Sequence, residues 1–266
     1  MSGPSVAIAI PAYDEADGIA GFLTEIDRAL KPLVETLRLI VVDDASSDRT
    51  GAAVLSVATD LSAEVEVITN AVNRGHGPSL MLAYRQAIRS EPDFVLQVDG
   101  DGQFHGSDLR RVLVLLTDEA EAVCGVRRFR QDPWFRMAMT RLLRGYLSSV
   151  FSVRARDANC PLRGYRTALL EELLPAIPED CLIPNLYLTV VAARRGHPLL
   201  EVDVSHRVRR GESIRGTAWG RGRSPIPWPL LRFSIGALRE SSAFRKHLDR
   251  LEGAGSAGRP SASGQS

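Results

Sequence analysis

Two carboxylates separated by one small residue follow a short apolar segment of this 266-residue chain. Asp99, Gly100 and Asp101 come directly after the run Phe94–Val98. At a strand end this spacing can turn both carboxylates toward one hard cation. Proteins hold activated phosphate compounds through Mg²⁺ or Mn²⁺ bound by one or two carboxylates, with a diphosphate in the other positions. The same triplet is also an ordinary turn, so the other motifs must decide.

Polar or Gly-rich clusters follow four of the predicted strands. They are Tyr13–Glu15, Asp43–Asp44, Asn73–Gly77 and Asp99–Asp101. In doubly wound sheets, ligands bind beyond the carboxyl ends of the strands. Four such clusters at successive strand ends are explained better by one binding site at that edge than by four unrelated turns.

Each cluster suits part of a nucleotide ligand. Tyr13 and Glu15 could pack on a base and hydrogen-bond a base or ribose, or could form a polar strand exit. Asp43 or Asp44 could accept a hydrogen bond from a base or ribose, or could cap the next helix. Asn73–Gly77 offers backbone N–H groups and a cation at a helix start, which suits a diphosphate, although glycine turns are common.

Apolar runs of strand and helix type alternate over the first half of the chain. This alternation predicts an α/β fold with a doubly wound, mostly parallel sheet and helices on both faces. The predicted strands are Val6–Ala12, Leu39–Asp44, Val65–Thr69, Phe94–Asp99 and Ala122–Val126. Four helices are predicted: Asp17–Leu37, a helix that ends at Ala58, Ser79–Arg89 and Ser107–Thr117. Asp48 is the predicted N-cap of the second helix, and Pro78 suits the first position of the third.

Charge divides the chain into two halves. Residues 1–126 contain 9 Lys and Arg against 20 Asp and Glu, a net charge of −11. Residues 127–266 contain 24 against 12, a net charge of +12. An acidic half followed by a basic half suggests metal-assisted binding first and an anionic partner second, with solvated faces of opposite sign as the alternative.

Composition limits the compartments and the classes of protein to which the chain could belong. Cys124, Cys160 and Cys181 lack CxxC spacing, which predicts a reducing compartment and no metal cluster. We expect no signal peptide and no membrane span, because no apolar stretch reaches about 20 residues. No nucleic-acid module is recognisable. We predict one domain over residues 1–220, a helical extension over 221–252 and a disordered tail over 253–266.

The motifs in this order resemble those of family 2 glycosyltransferases of the GT-A fold. Within that family they are most similar to the dolichol-phosphate or polyprenyl-phosphate mannose synthase group, over about residues 5–215. The matching segments are Pro11–Glu15, Val41–Thr50, Asn73–Gly77 and Asp99–Gln103.

The resemblance implies a donor half, about residues 1–126, that binds a nucleotide sugar with Mg²⁺ or Mn²⁺. GDP-mannose is the favoured donor and a UDP-sugar the alternative. The family usually has Lys where His76 stands. The implied metal ligands are Asp99, Asp101 and Gln103. The implied donor-binding residues are Pro11, Tyr13, Glu15, Asp43, Asp44, Arg74, Gly75, His76 and Asp99.

The resemblance places the acceptor in residues 127–220. Arg127 and Arg141 match positions that hold the acceptor phosphate, and a guanidinium suits phosphate because its fork donates two hydrogen bonds. Arg207, Arg209 and Ser213 resemble a loop that closes on donor and acceptor. The segment Pro133–Phe151 is typical of a basic amphipathic helix, which could lie in a membrane interface or pack on the sheet.

These features predict an inverting glycosyltransferase, with Asp99, Asp101, Arg127 and Arg141 as catalytic residues. It would move a hexose to a polyprenyl phosphate at the cytoplasmic membrane face, through peripheral contact or a membrane partner subunit. One alternative is a soluble enzyme that glycosylates a hydroxyl and uses an acid such as Glu179 or Asp180 as base. Another is an inactive GT-A binding subunit.

Overall fold

The computed structural model of the chain describes residues 3–127, 145, 149–210 and 228–257. A seven-stranded sheet forms in the unit that comprises residues 1–220, with the order β3-β2-β1-β4-β6-β5-β7. Every pairing is parallel except those that β6 makes with β4 and β5. The strands are β1 (Ser5–Ala12), β2 (Thr36–Asp43), β3 (Glu64–Thr69), β4 (Phe94–Gln97), β5 (Ala122–Arg127), β6 (Arg163–Arg166) and β7 (Leu199–Val204).

Helices connect the strands and cover the sheet, which confirms the predicted doubly wound α/β class. In the first unit they are α1 (Ile19–Leu30), α2 (Thr50–Ala58), α3 (His76–Ile88), α4 (Gly106–Thr117), α5 (Thr167–Leu173) and α6 (Pro184–Arg194), with short 3₁₀ turns at Lys31–Leu33 and Leu174–Ala176. The main core lies between the sheet and α1 and α4. It is built from buried residues such as Ile8, Phe22, Leu96 and Leu113.

Two predicted helix boundaries were wrong by three residues or more. The first helix ends at Leu30 rather than Leu37, because Pro32 lacks the N–H that a longer helix needs and Thr36 already pairs with Ser5 in the sheet. The third begins at His76 rather than Ser79, so Pro78 is its third residue. The predicted cap at Asp48 was also wrong, because the N-cap of the second helix is Arg49; the Asp48 carboxylate, one residue earlier, accepts a hydrogen bond from the Thr50 N–H at 2.9 Å.

The fourth strand ends at Gln97, two residues earlier than predicted. Backbone bonds nevertheless keep the chain beside β1 as far as the acidic triplet. The Val98 N–H donates to the Ala9 carbonyl at 3.2 Å, and the Gly100 N–H donates to the Pro11 carbonyl at 3.1 Å. The triplet is therefore held against the end of β1 by main-chain bonds.

The segment Pro133–Phe151, predicted as a basic amphipathic helix, lies mostly outside the described residues. The second unit, residues 221–266, contains α7 (Trp228–Ala257). This helix continues past Gly253, where the disordered tail was predicted to begin. None of the described helices combines the length and the apolar character needed to cross a membrane.

Candidate functional site

An open cleft of about 310 Å³ lies at the carboxyl edge of β1, β2 and β4. Nine of the residues predicted from the sequence line it: Pro11, Tyr13, Glu15, Asp44, Gly75, His76, Asp99, Asp101 and Arg209. Ala12, Asn73, Ser79 and Gly100 complete its lining. The structure therefore brings all four polar clusters to one place.

Asp99 and Asp101 face the cleft as a pair of mutually repelling carboxyl groups. Burial raises the pKa of Asp101 to about 6, and the negative charge of Asp99 adds to the rise. The Gln103 N–H opposes it by donating to Oδ1 of Asp101 at 3.0 Å. His76 places its Nε2 atom 3.8 Å from Oδ1 of Asp99. A cation bound at this pair would relieve the repulsion.

The donor set fits a divalent cation that shares its ligands with a diphosphate. No group of three or more His, Cys, Asp or Glu side chains in the described part of the chain is arranged to hold a metal by itself. Mg²⁺ commonly binds through one or two carboxylates plus substrate phosphates, so Asp99 and Asp101 suffice. Gln103, predicted as a third ligand, is not among the residues that line the cleft.

Glu15 is a buried acid in the wall of the cleft. Burial raises its pKa to about 7, although the ion pair with Arg209 lowers it, and the charges of Asp101 and Asp99 raise it further. The Nε of Arg209 donates to Oε2 of Glu15 at 3.1 Å. The Glu15 N–H is fixed by the Thr50 hydroxyl at 2.8 Å. Arg209 is thus held across the cleft.

The two acids at the carboxyl end of β2 make different contacts. Oδ1 of Asp43 accepts a hydrogen bond from the Ser46 N–H at 3.0 Å, which closes the turn after the strand. Asp44 instead organises the loop before α3. Its Oδ1 accepts from the Arg74 N–H at 2.8 Å and its Oδ2 from the Gly75 N–H at 2.8 Å. Gly75 has φ 91°, a conformation that favours glycine.

The start of α3 is clamped from the opposite side by the loop before α6. Arg74 pairs with Asp180 at 2.9 Å, and Arg85 pairs with Glu179. A Cβ atom added at Gly77 would lie 1.9 Å from the carbonyl oxygen of Cys181, so only glycine permits this approach. Glu179 and Asp180, the two candidate bases for transfer to a hydroxyl, are therefore engaged in ion pairs.

The segment Ser205–Arg210 lies beside the acidic triplet. The Arg207 N–H donates to the Gln103 carbonyl at 2.9 Å, and the Arg210 N–H donates to the Asp101 carbonyl at 3.0 Å. Both guanidinium groups pair with Glu25, a residue that sequence reasoning missed because it belongs to no motif. Arg209 alone among the three lines the cleft.

Arg127 lies at the end of β5 in a two-pronged ion pair. Its Nε and NH2 atoms donate to the two oxygens of Asp157 at 2.7 and 2.9 Å. It is not among the residues that line the cleft. Two further residues of the predicted acceptor set, Arg141 and Ser213, lie outside the described residues, so the acceptor site remains a prediction.

Comparison with known proteins identifies the fold and the family. The family model described as glycosyl transferase family 2 matches residues 7–174. An undecaprenyl-phosphate 4-deoxy-4-formamido-L-arabinose transferase of Proteus mirabilis is 29% identical over 206 residues, 77% of this chain and 60% of that protein. The corresponding transferase of Edwardsiella ictaluri is 26% identical over 212 residues, 79% of this chain and 63% of that protein. The chain thus spans about three fifths of the length of these relatives.

Solved structures agree on the architecture. Glucosyl-3-phosphoglycerate synthase from Mycobacterium tuberculosis, in complex with Mn²⁺, UDP and phosphoglyceric acid, superposes with a TM-score of 0.57 at 20% identity, covering 79% of this chain and 72% of that one. The same enzyme with Mg²⁺ and UDP gives a TM-score of 0.57 at 19% identity, covering 79% and 73%. The predicted GT-A fold is confirmed.

Proposed function

This chain belongs to glycosyl transferase family 2, and on that premise we propose that it moves a sugar from a nucleoside diphosphate sugar to the phosphate of a polyprenyl phosphate. The observation that carries the proposal is the cleft, where Asp99 and Asp101 lie beside the Gly-rich start of α3. Backbone N–H groups at a helix start favour a diphosphate. The names of the curated relatives supply the acceptor class, an undecaprenyl phosphate.

Asp99 and Asp101 would hold the divalent cation, Mg²⁺ or Mn²⁺. When bound, the cation would neutralise charge on the diphosphate leaving group. The protein mainly aligns two anions, so that the acceptor oxygen attacks the anomeric carbon in line with the departing nucleotide. Arg209 reaches the same cleft and could exchange its pairing with Glu15 for the diphosphate.

A phosphate acceptor agrees with the ion pairing of Glu179 and Asp180, the two candidate bases of the second half. It is already anionic near pH 7 and needs no catalytic base. Glu179 and Asp180 are ion-paired with arginines. Asn185, near the position where family members that glycosylate hydroxyls carry an acid, is a neutral amide buried away from solvent.

The hydrogen bonds of Asp44 favour a uridine donor over the GDP-mannose predicted from the sequence. A carboxylate offers about four lone-pair sites. Three are taken by the Arg74 N–H, the Gly75 N–H and the Asn70 amide, the last at 2.7 Å. One lone-pair site of the Asp44 carboxylate remains. A single site suits the one N–H group of uracil better than the paired N–H donors of guanine.

A panel of donors would identify the sugar, since the relatives' names give an arabinose derivative rather than mannose. The measurement is release of nucleoside diphosphate from a panel of UDP- and GDP-sugars in the presence of Mn²⁺ and a short polyprenyl phosphate. We expect turnover with at least one UDP-sugar that depends on the acceptor. Turnover with GDP-sugars alone would contradict the preference for uridine inferred from Asp44. No turnover with any donor would contradict the proposed glycosyl transfer to a polyprenyl phosphate.

We also propose that the chain works at the cytoplasmic membrane face, by peripheral contact or through a membrane partner subunit. The support is the acceptor class and the basic composition of residues 127–166, which hold ten Arg against two Asp. Basic residues near an anionic membrane surface contribute about 1 kcal/mol each.

One observation favours a second candidate, transfer to a hydroxyl. The pKa of Glu15 is raised to about 7, a value that suits a general base. Its pairing with Arg209 and its place at the exit of β1, in the donor half, favour a role in donor binding instead. The presence of both Asp99 and Asp101 in the cleft counts against an inactive binding subunit.

A further inference from the structure

A line of buried hydrogen bonds runs from the core to Asp99. The Tyr84 hydroxyl donates to Oδ1 of Asn185 at 3.1 Å. The Asn185 amide donates to Oε1 of Gln97 at 3.1 Å. The Gln97 amide then donates to Oδ1 of Asp99 at 3.0 Å. Every bond of this buried relay, defined as Tyr84, Asn185 and Gln97, is directed toward the carboxylate in the cleft.

The relay occupies positions where a core would favour apolar side chains. Tyr84 and Gln97 are 0% exposed, and Asn185 is 2% exposed. Gln97 ends β4, whose other residues, Phe94–Leu96, are all apolar. Buried amides cost free energy unless they are hydrogen-bonded, so a polar pair here needs a reason beyond packing. The contact with Asp99 supplies one.

The inner end of the relay lies next to a buried cation. Arg163 is fully buried, and its guanidinium donates to the Tyr165 hydroxyl at 3.3 Å and to the Thr189 hydroxyl at 2.9 Å. No carboxylate forms an ion pair with it in the ranges that the structure describes. The Tyr165 ring meets the Tyr84 ring edge-on, with centroids 6.2 Å apart. In a low-dielectric interior, such a chain of dipoles is polarised by the charge behind it and favours negative charge at its outer end.

The relay engages only one oxygen of Asp99. Oδ1 accepts the Gln97 amide, whereas Oδ2 receives no hydrogen bond from any described residue. The side chain is 27% exposed and lines the cleft. A carboxylate held from behind by one oxygen keeps its orientation while its other oxygen stays available to a ligand.

We propose that Gln97 and Asn185 are positioning residues that orient Asp99 for the divalent cation. This inference rests on the metal-dependent step of the proposed function. Groups that hydrogen-bond a metal ligand from behind restrict its orientation, and their loss typically weakens metal affinity by about 10- to 100-fold. Gln97 acts directly on Asp99, and Asn185 acts through Gln97.

The test is Mn²⁺ affinity, measured without turnover from the electron paramagnetic resonance signal of free Mn²⁺ in the presence of UDP or GDP. Gln97→Met keeps the side chain's length but removes the donor to Asp99. Gln97→Leu with Asn185→Leu replaces both amides together, so that neither is left unpaired. Leu188→Ala, buried on the same helix as Asn185, is the matched control for lost stability. Thermal unfolding of every variant is recorded alongside.

We expect Gln97→Met and the double variant to weaken Mn²⁺ binding by about 10- to 100-fold. Leu188→Ala should lower the unfolding temperature and leave Mn²⁺ binding unchanged. Wild-type affinity in both relay variants would overturn the inference and leave the proposed function standing. If the double variant does not fold, Gln97→Met decides alone. Absence of Mn²⁺ binding by the wild-type protein with either nucleotide would overturn the metal step of the proposed function itself.

Discussion

Asp101 carries a negative charge that its surroundings oppose. Burial and the neighbouring Asp99 raise its pKa to about 6, well above the ordinary range of an aspartate. Perturbed carboxyl groups of this kind cluster where a protein binds cations or performs chemistry. At the end of β4, beside a helix start that suits phosphate, the arrangement is explained best by a shared divalent cation.

Asp101→Asn should therefore remove most of the turnover. An amide oxygen is a weaker, neutral ligand, and the charge of the diphosphate would be left uncompensated, a loss of about 100-fold or more. The measurement is turnover as a function of Mn²⁺ concentration, with the exposed Asp118→Asn at the end of α4 as the control. Activity that persists in excess EDTA would contradict metal dependence.

Glu15 predicts a dependence of stability on pH. Its folded-state pKa, about 7, is above the ordinary value of 4.5, so its contribution to stability is present below about pH 4.5 and is lost as the pH rises through 7. Glu15→Gln should match the wild-type protein at pH 4.5 and exceed it at pH 8 by up to about 3 kcal/mol. The measurement is the free energy of unfolding in urea at both pH values. A constant difference between the two proteins would show that Glu15 is not perturbed.

At the scale of elements, the site depends on α3 approaching the loop before α6. Gly77→Ala would place a methyl group into the Cys181 carbonyl, and the two elements would have to separate. We expect a loss of about 1–3 kcal/mol in stability together with weaker nucleotide binding. Gly145→Ala is the control, because an added methyl group there meets nothing within 4 Å. Equal stability of the two variants would contradict the close approach.

Substitutions of Arg127, at the end of β5, can show whether this arginine contacts the acceptor phosphate in addition to pairing with Asp157. Its removal leaves Asp157 buried without this partner, which costs about 3–5 kcal/mol. Arg127→Ala combined with Asp157→Asn should restore much of the stability. If Arg127 contacts the acceptor phosphate, as the sequence predicts, this double variant should still lose about 10- to 100-fold in acceptor use.

The comparison is acceptor-dependent turnover of Arg127→Ala, of the double variant and of Asp157→Asn alone, with donor hydrolysis recorded in the absence of acceptor. Donor hydrolysis should change little, because the nucleotide cleft is formed by other elements. Recovery of full acceptor use in the double variant would mean that Arg127 acts only by pairing with Asp157.

At the scale of the whole molecule, the position of the cleft was largely predictable. Acidic and Gly-rich clusters at successive strand ends must meet when the strands are parallel, and Tyr13, Asp44, His76 and Asp99 do line one cleft. The insertion of β6 antiparallel between β4 and β5 was not predictable, because its four residues carry no alternating pattern. Local boundaries failed where pairing between distant segments overrode helical spacing, as at Thr36.

The supporting contacts were hidden for a different reason. Glu25 meets Arg207 across 182 positions of sequence, and Asn185 meets Gln97 across 88. Glu25 and Gln97 belong to no motif, and only the folded arrangement of the chain brings each of them to its partner. Roles that depend on such long-range neighbours, including that of Asp157 beside Arg127, cannot be assigned from residue type and spacing.

A pair of acceptors that differ only in the phosphate shows whether this protein transfers sugar to a phosphate or to a hydroxyl. The protein is incubated with Mn²⁺ and the UDP- or GDP-sugar it turns over, together with either a polyprenyl phosphate or the polyprenol of the same length. Glycosylated lipid is identified by mass, and Asp101→Asn serves as the inactive control. We expect a glycosyl phosphate product from the phosphate and no product from the alcohol. Transfer to the polyprenol at a comparable rate would contradict this expectation.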